Sequence, residues 1–209
     1  MQLFFKRCLD IAVAATLIVL LSPLIVCVAA MVRLKLGAPV IFRQRRIGRD
    51  EIPFDMLKFR TMTGARDATG ALLPDAARLT KFGLWLRATS LDELPELWNI
   101  LIGQMSLVGP RPLLPEYLPY YTAAEATRHR MRPGLTGLAQ VNGRNAARWD
   151  ARLALDAEYV QRFSLALDFT ILWQTAAVVL HRRGVSAEGH VTMPRLDVER
   201  HANAHSRTP

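Results

Sequence analysis

The chain has 209 residues, 51% of them hydrophobic, and its 27 Lys plus Arg against 18 Asp plus Glu give a formal net charge of +9. This composition excludes a chain that is disordered throughout, because such chains are poor in apolar residues. With 2 Cys, 12 Gly and 12 Pro, the disulfide-scaffold and collagen-like classes are excluded too. The length suits one domain with at most a small appendage. The surplus positive charge favours an anionic partner: nucleic acid, a phosphorylated ligand or a membrane surface.

An uncharged apolar run covers residues 11–32 and is interrupted by Ser22 and Pro23 near its middle. Such a run is just long enough to cross a hydrocarbon core of about 30 Å. A cleaved signal peptide is disfavoured because the run is long and Arg33 and Lys35 follow it at once. Two structures therefore remain open: a spanning helix with a mild proline kink, and a re-entrant hairpin that enters and leaves on one side.

The charges on the two flanks of this run favour the hairpin. Lys6 and Arg7 precede the run, and Arg33 and Lys35 follow it. A spanning helix can place basic residues on the cytoplasmic side at one end only, whereas a hairpin does so at both. Pro23 lacks an N–H, and the Ser22 hydroxyl can bond a freed backbone group that lipid cannot solvate.

Asp10 lies three and four residues after Arg7 and Lys6, on the same face of a helix. We expect these three side chains to interact at the membrane boundary, although an ordinary surface pair would look the same. Cys8 and Cys27 lie on or within the apolar run and have no metal-ligand spacing, so we expect buried, reduced thiols.

The rest of the chain predicts an α+β fold that is mostly helical with a few short strands. Strands are expected at 40–42 and 54–59, joined by a basic turn, and 63–78 is small and polar like a surface loop. The chain is divided into a helix hairpin at 1–36, a body at 37–195 and a disordered tail at 196–209. Helices are predicted over 79–87, 92–102, 116–130, 146–163 and 165–181.

Residues 90–99, SLDELPELWN, contain three carboxylates: Asp92, Glu93 and Glu96. Ser90 and Glu93 fit a capping box, and Pro95 is tolerated only in a first turn, so a helix should begin between Ser90 and Asp92. Acidic residues at a helix N-terminus are common and stabilising, which is the non-catalytic explanation of this cluster.

Three arginines stand near rigid or glycine-containing segments around this acidic cluster. Arg87 lies just upstream, Arg111 belongs to GPRP at 109–112, and Arg144 belongs to NGRN at 142–145. The planar guanidinium suits phosphate oxygens, and carboxylates facing arginines are what a divalent metal and a pyrophosphate require together. A carboxylate can also attack phosphorus as a nucleophile. We expect four other arginines to be solvated: Arg128, Arg130, Arg148 and Arg152.

Six motifs in order resemble the bacterial sugar transferase family, the monotopic phosphoglycosyl transferases, over nearly the whole chain. They are KRCLD at 6–10, SP at 22–23, KFRTM at 58–62, SLDELPELWNIL at 90–101, MSLVGPRP at 105–112 and RPGLTGLAQVNGRN at 132–145. PRPLLPEYL at 110–118 and GVSAEGHVT at 184–192 make the members acting on bacillosamine-type sugars the most similar.

The resemblance implies transfer of a sugar 1-phosphate from a UDP-sugar to polyprenyl phosphate, with release of UMP. It implies that Asp92 is the nucleophile of a covalent intermediate and that Glu93 supports it, with Mg²⁺ held by both. UDP-glucose and UDP-galactose are the alternative donors to a bacillosamine-type sugar. The substrate-binding residues implied are Lys58, Arg87, Arg111 and Arg144.

The resemblance also implies a monotopic protein on the cytoplasmic face of the bacterial inner membrane. Residues 37–195 would then be the catalytic domain, and a homo-oligomer stays open. For the apolar helix at 165–181 two placements stay open, along the lipid interface or in the core. The implied membrane-anchoring residues are Lys6, Arg7, Asp10, Ser22 and Pro23.

Two other classes explain part of the sequence. A nucleic-acid binder would use the positive charge but has no place for the apolar run at 11–32, so nucleic acid is not an expected partner. A membrane-anchored interaction module explains the run but not Asp92 and Glu93 beside arginine-bearing loops.

Overall fold

A computed structural model describes residues 1–143, 148–180 and 195–205. The predicted class is confirmed, since these residues form a mostly helical α+β structure with four short strands. The strands are β1 (Ile41–Ile47), β2 (Pro53–Phe59), β3 (Ser106–Val108) and β4 (Gly134–Thr136). The helices are α1 (Gln2–Leu20), α2 (Ser22–Leu36), α3 (Asp75–Arg78), α4 (Lys81–Ala88), α5 (Glu96–Leu101), α6 (Ala123–Ala126), α7 (Leu138–Gly143), α8 (Trp149–Gln161), α9 (Leu165–Leu180) and α10 (Leu196–His205).

The predicted break at Ser22 and Pro23 is present between α1 and α2, which are bent by 64°. Pro23 lies in the first turn of α2, where a missing N–H removes no helical hydrogen bond. The Ser22 hydroxyl donates to the Val19 carbonyl at 2.8 Å, satisfying an oxygen near the bend. In the described part of the chain no single helix is long and apolar enough to cross a membrane, and α1 with α2 is the pair that meets this test when taken together.

One face of this helix pair packs on the rest of the protein. Ala14 of α1 and Val28 and Val32 of α2 are fully buried, the valines against Phe59 and Leu86. The end near the bend is different, because large apolar side chains there are exposed to the surroundings. They are Val19, Leu20, Leu24 and Val26.

Strands β1 and β2 form an antiparallel hairpin in which Ile41 is opposite Phe59 and Ile47 is opposite Pro53. Side chains alternate along a strand, so Phe54, Met56 and Lys58 share one face of β2. The first two are buried in the core, and Lys58 continues the same row into the interior. A strand that is mostly apolar therefore carries one ammonium group inward.

Strands β3 and β4 pair in parallel and bring distant segments into close contact, with Ser106 opposite Gly134. A Cβ on Gly109 would lie 2.4 Å from the Arg132 carbonyl oxygen, and one on Gly134 would lie 2.1 Å from the Gly109 nitrogen. Only glycine fits at these two positions. This close approach of the two segments fixes the point at which the chain leaves β3 and continues to Arg111.

Several boundaries differ from the sequence-based prediction. The loop at 63–78 contains the short helix α3, and 116–130 is not one helix but two 3₁₀ segments, Pro115–Tyr120 and Thr127–Arg130, on either side of α6. Pro119 and the capping box of Thr122 interrupt a continuous helix there. Cys8 and Cys27 are free but exposed, so the expectation that they are buried was wrong.

The expectation of a disordered tail at 196–209 was wrong for residues 196–205, which form α10. Leu196 is fully buried in a cluster with Leu113, Tyr117 and Trp149. The guanidinium of Arg200 binds the carboxylates of Glu125 and Asp150 at 2.6 and 2.8 Å and the carbonyl of Tyr120 at 2.8 Å. A single apolar anchor and one arginine are too weak a sequence signal to predict this helix. Residues 206–209 lie outside the described range.

Candidate active site

The acidic segment begins with a turn rather than with the predicted helix. Ser90 has a left-handed backbone (φ 56°), Leu91–Glu93 is a 3₁₀ segment, and α5 begins only at Glu96, after Pro95. The predicted capping box was wrong, because the Ser90 side chain caps nothing in the described structure. The Glu93 carboxylate instead binds cations from other elements. Asp92 and Glu93 consequently lie on a tight turn ahead of the helix.

Lys58 and Arg111 converge on Glu93. The Lys58 Nζ lies 2.5 Å from Glu93 Oε1, and the Arg111 Nη2 lies 3.0 Å from the same oxygen. Burial alone would raise the pKa of Glu93, but the two cations outweigh it and hold that pKa well below its usual range. The pKa of Lys58 is raised, since Glu93 and Glu96 together outweigh the effect of its burial. Glu93 is therefore a permanently ionised carboxylate at neutral pH.

Glu96 joins this group, although the sequence analysis placed it only among the helix-capping acids. It is 3% exposed, and the Lys58 Nζ lies 3.1 Å from its Oε1 without the alignment of a hydrogen bond. Burial, reinforced by the Glu93 charge, raises the pKa of Glu96 to about 7 despite Lys58. The sequence signal that could have identified Glu96 is the alternation along β2. It places Lys58 on the inward face of the strand, where this lysine approaches all three acids.

Asp92 is the one acid of the three whose carboxylate receives no hydrogen bond or ion pair from any described residue. It is 7% exposed, and burial raises its pKa to about 6, with Lys58 opposing the shift and Glu93 adding to it. At pH 7 it is mostly ionised, weakly solvated and free to react. Those are the properties of a nucleophilic carboxylate.

Arg87 is held close to this turn, and its charge lowers the pKa of Asp92. Its Nε donates to Thr61 Oγ1 at 3.1 Å, so the buried threonine of the KFRTM motif positions it. Of the four basic residues implied to bind substrate, the structure thus brings Lys58 and Arg111 to Glu93 and Arg87 near Asp92. Arg144 lies outside the described residues.

Within the described ranges, no group of three or more His, Cys, Asp or Glu side chains is arranged to hold a metal ion. Mg²⁺ at phosphate-transfer sites is commonly held by one or two carboxylates, with substrate phosphates and water completing its octahedron. Asp92 and the second oxygen of Glu93 supply such a pair of hard oxygen donors. The donor set therefore fits a Mg²⁺ ion shared with a phosphorylated ligand.

A sequence model described as bacterial sugar transferase matches residues 1–182. The chain belongs to the bacterial sugar transferase family. It is thus an enzyme, a sugar transferase.

The relatives of this sugar transferase include short and long proteins. It is 49% identical over 194 residues to the uncharacterized sugar transferase EpsL of Bacillus subtilis, covering 93% of this chain and 96% of that protein. It is 42% identical over 190 residues to the UDP-glucose:undecaprenyl-phosphate glucose-1-phosphate transferase of Caulobacter vibrioides, covering 84% and 69%. It is 39% identical over 198 residues to the UDP-galactose-lipid carrier transferase of Erwinia amylovora, covering 87% and 41%. In that last protein the match is one part of a longer chain.

The predicted interaction of Lys6 and Arg7 with Asp10 was wrong, because no hydrogen bond or ion pair joins any two of these side chains. Lys6 is buried, and its Nζ donates to Asp168 Oδ2 at 2.6 Å and to the Val108 carbonyl at 2.9 Å. Asp168 also accepts from the Tyr159 hydroxyl at 2.7 Å. In the sugar transferase this lysine therefore joins α1 to α9 and β3.

Arg7 and Asp10 bind backbone groups and one hydroxyl of other elements. The Arg7 guanidinium donates to the carbonyls of Ile100 and Leu101, at the end of α5, at 2.7 and 2.9 Å. Asp10 Oδ1 accepts from the Ser106 hydroxyl and the Leu107 N–H, each at 3.0 Å. Together with Lys6, these two residues thus hold α1 against α5, α9 and β3. A single Asp in the apolar stretch 165–181 was the sequence signal for the partner of Lys6.

The expectation that Arg128 is solvated was also wrong. It is 2% exposed, and its Nη2 binds Asp156 Oδ2 at 2.7 Å and the Arg111 carbonyl at 2.5 Å. Arg128 therefore holds the backbone of Arg111 in position through this carbonyl. The charge alternation of 125–130 looked like a solvated helix face, which is why sequence reasoning missed this residue.

Proposed function

We propose that this sugar transferase transfers a sugar 1-phosphate from a UDP-sugar to undecaprenyl phosphate, releasing UMP. Longer relatives that are 39–42% identical over the matched part are named UDP-glucose:undecaprenyl-phosphate glucose-1-phosphate transferase or UDP-galactose-lipid carrier transferase. The observation that carries the proposal is the state of Asp92: buried, unpaired among the described residues, and adjacent to a Glu93 that Lys58 and Arg111 keep ionised.

The first step forms a covalent intermediate. A carboxylate oxygen of Asp92 attacks the phosphorus that bears the sugar, and the bond from that phosphorus to the bridging oxygen of the diphosphate breaks. UMP leaves with the bonding electron pair. Asp92 then carries the sugar phosphate as a mixed anhydride.

The second step returns the enzyme to its starting state. A phosphate oxygen of undecaprenyl phosphate attacks the same phosphorus, and the bond to Asp92 breaks to regenerate the carboxylate. Two separate steps let a soluble donor and a lipid acceptor use one site in turn. The products are UMP and undecaprenyl diphosphate sugar.

The other residues of the site organise charge around this reaction. Lys58 and Arg111 hold Glu93 in place and offset the negative charge that phosphate transfer gathers near it. We propose that Asp92 and Glu93 hold Mg²⁺, which neutralises phosphate charge when bound. Arg87 lies near Asp92, on a different element from Arg111. We propose that Arg87 and Arg144 also bind phosphate.

We propose that the protein is monotopic, with α1 and α2 entering the cytoplasmic leaflet of the inner membrane and returning to the same side. The bend of 64° and the exposed apolar side chains beside it support this arrangement. Trp173 is 80% exposed on α9, as expected for an aromatic residue at the lipid interface. Ser22 and Pro23 then act as the anchoring residues.

The donor is proposed to be a UDP-sugar with acetamido groups, of the bacillosamine type, with UDP-glucose and UDP-galactose as the alternatives. The first choice depends on the motifs at 110–118 and 184–192, of which the second lies outside the described residues. The alternatives depend on the names of the relatives.

The full chain in detergent, with Mg²⁺ and undecaprenyl phosphate, is assayed for nucleotide release against the three UDP-sugars, with GDP-mannose as the control donor. We expect UMP from one UDP-sugar at steady state. Without acceptor, we expect a burst of at most one UMP per enzyme, because Asp92 can be loaded only once. Release of UDP would overturn the proposal, since it means transfer of the sugar without its phosphate.

A further inference from the structure

Arg46 lies close to the active site but was not among the residues implied to bind substrate. It is the last residue but one of β1, opposite Phe54 of β2. The next residue, Ile47, donates its N–H to the Leu113 carbonyl at 3.0 Å, which fixes the end of β1 against the segment that follows Arg111. The Arg46 Nη1 lies 3.4 Å from the Pro112 carbonyl oxygen. Its guanidinium is thereby placed beside the residue after Arg111.

Arg46 is a largely buried cation that no described carboxylate neutralises within ion-pair distance. Its partners are neutral: the Pro112 carbonyl and Gln44 Oε1, the latter at 2.6 Å. Its Nε–H is buried and has no acceptor. Burial, followed by the charge of Arg111, lowers the pKa of Arg46 to about 10. A guanidinium has five N–H donors, so most of the binding capacity of Arg46 is unused.

The acids near this cation form no ion pair with it. Glu93 binds Lys58 and Arg111, and Glu96 faces Lys58. Glu116, whose charge also acts on Arg46, is exposed and lies beyond ion-pair distance. Leaving a buried charge without its counter-ion is costly, and an anion that binds there would remove the cost.

The position of Arg46 in the fold separates it from Arg87. Arg87 belongs to α4, which packs on α2 through Leu86, Val28 and Val32. Arg87 also bonds Thr61, two residues beyond the end of β2, whereas Arg46 lies opposite Phe54 near the start of β2. Along the hairpin the two arginines therefore lie on opposite sides of Lys58, which binds the acidic turn through Glu93.

We propose that Arg46 binds substrate together with Arg111, and that the group it holds is the phosphate of the nucleotide donor that leaves as UMP. This inference rests on the proposed function. Arg87 belongs to the helix that packs on α2 of the proposed anchor, so we assign the lipid phosphate to the side of Arg87 and the nucleotide phosphate to the side of Arg46. A bidentate guanidinium pair suits the oxygens of the departing phosphate.

The test compares Arg46→Gln with Arg45→Gln in the full chain in detergent. Arg45 is the adjacent residue on the opposite face of β1, where it is exposed and pairs with Asp55 at the surface. We expect Arg46→Gln to raise the KM for the UDP-sugar and to weaken calorimetric UMP binding by about tenfold or more, the scale of a lost charge-assisted hydrogen bond. The KM for undecaprenyl phosphate should change less than twofold, and Arg45→Gln should resemble the wild type in every measurement.

A second variant separates binding from folding. Arg46→Met removes an uncompensated buried cation, so the melting temperature of the ligand-free protein should stay the same or rise while UMP binding is lost. A large fall in melting temperature with normal UMP binding would assign Arg46 a purely structural role and overturn the inference.

The remaining outcomes are also distinct. If the wild type binds UMP and Arg46→Gln binds it equally well, the inference fails and the proposed function stands. If only the KM for undecaprenyl phosphate rises, the assignment to the leaving phosphate is overturned. If the wild type neither binds nor releases UMP, the proposed function itself fails.

Discussion

Two buried clusters in this protein each contain a lysine and acidic residues, but they have different roles. The dyad cluster consists of Lys58, Asp92, Glu93, Glu96 and Arg111. The hairpin cluster consists of Lys6, Asp10, Ser106, Tyr159 and Asp168. Both lie where a helix or turn meets a strand, and both contain a lysine that binds a carboxylate at 2.5 to 2.6 Å.

The clusters differ in how completely their polar groups are satisfied. In the hairpin cluster Asp168 binds Lys6 and Tyr159, Asp10 binds Ser106 and a backbone N–H, and no buried polar atom described there lacks a partner. In the dyad cluster Asp92 has no described partner and a buried oxygen of Glu96 has no hydrogen bond. We call a network closed when every buried polar group in it has a partner, and such a network holds two elements together. We call it open when some groups have none, and those groups are available to bind a ligand.

The largest expected effect comes from removing the open carboxylate. Asp92→Asn keeps the size of the side chain but cannot form the anhydride with the sugar phosphate. We expect turnover to fall on the order of 10⁴-fold or more, the scale seen when an enzyme loses its covalent nucleophile. UMP release measures this effect, and the burst without acceptor should disappear. The control is Glu116→Gln, which changes an exposed acid. Asp156→Asn is unsuitable as a control because Asp156 binds Arg128.

The melting temperature of Asp92→Asn should not fall, because the variant removes a buried carboxylate that has no described partner. Near-normal turnover in this variant would contradict the role of Asp92 as nucleophile. Loss of turnover together with loss of the fold would mean that Asp92 belongs to a closed network like that of Lys6.

The hairpin cluster should respond in the opposite way. Lys6→Met leaves Asp168 buried without its cation, and breaking a buried ion pair in this way costs about 3–5 kcal/mol of unfolding free energy. Turnover per folded molecule should change little. Denaturant titration in detergent measures the stability, and the double variant Lys6→Met with Asp168→Asn should recover much of the loss, since Asn can still accept from Tyr159.

An unchanged unfolding free energy for Lys6→Met, with a large loss of turnover, would contradict this division of roles. It would show that Lys6 acts on the reaction rather than on the attachment of α1. Arg33→Gln is the matched control, because this arginine is exposed at the end of α2.

The same contrast explains what could be predicted from the sequence. The break at Ser22 and Pro23 and the strands around Lys58 depend on residues close together in the chain. Proline chemistry and alternation along a strand make such features predictable. The prediction of Asp92 and Glu93 as the central pair came from the resemblance to a known family, because local chemistry alone predicted a capped helix there.

The hairpin cluster could not be predicted because the contacts of Lys6 and Asp10 join residues about 100 positions or more apart. Lys6 and Asp168 are 162 positions apart, and Asp10 and Leu107 are 97 positions apart. Local reasoning paired Lys6 and Arg7 with the nearest acid, Asp10, since a helix would place them on one face. In the structure each of the three side chains instead binds a group on another element.

The smallest effect we expect concerns Glu96 and the dependence of stability on pH. The dyad cluster holds three carboxylates and two cations, so when Asp92 and Glu93 are ionised Glu96 is the surplus acid. Burial and the Glu93 charge raise its pKa to about 7 from an ordinary value of 4.5. The folded state therefore favours protonated Glu96. Its stabilising contribution is fully present below about pH 4.5 and is lost as pH rises through about 7.

Glu96→Gln mimics the protonated acid at every pH. At pH 8.5 we expect the variant to be more stable than the wild type by on the order of 3 kcal/mol, at about 1.4 kcal/mol per pKa unit. At pH 5 the difference should fall below about 1 kcal/mol. Urea titrations with a metal chelator present measure both values, and Glu116→Gln should match the wild type throughout. An equal difference at both pH values would show that Glu96 is ionised across the range, and that the dyad cluster is closed by Lys58 in the same way as Lys6 closes the hairpin cluster.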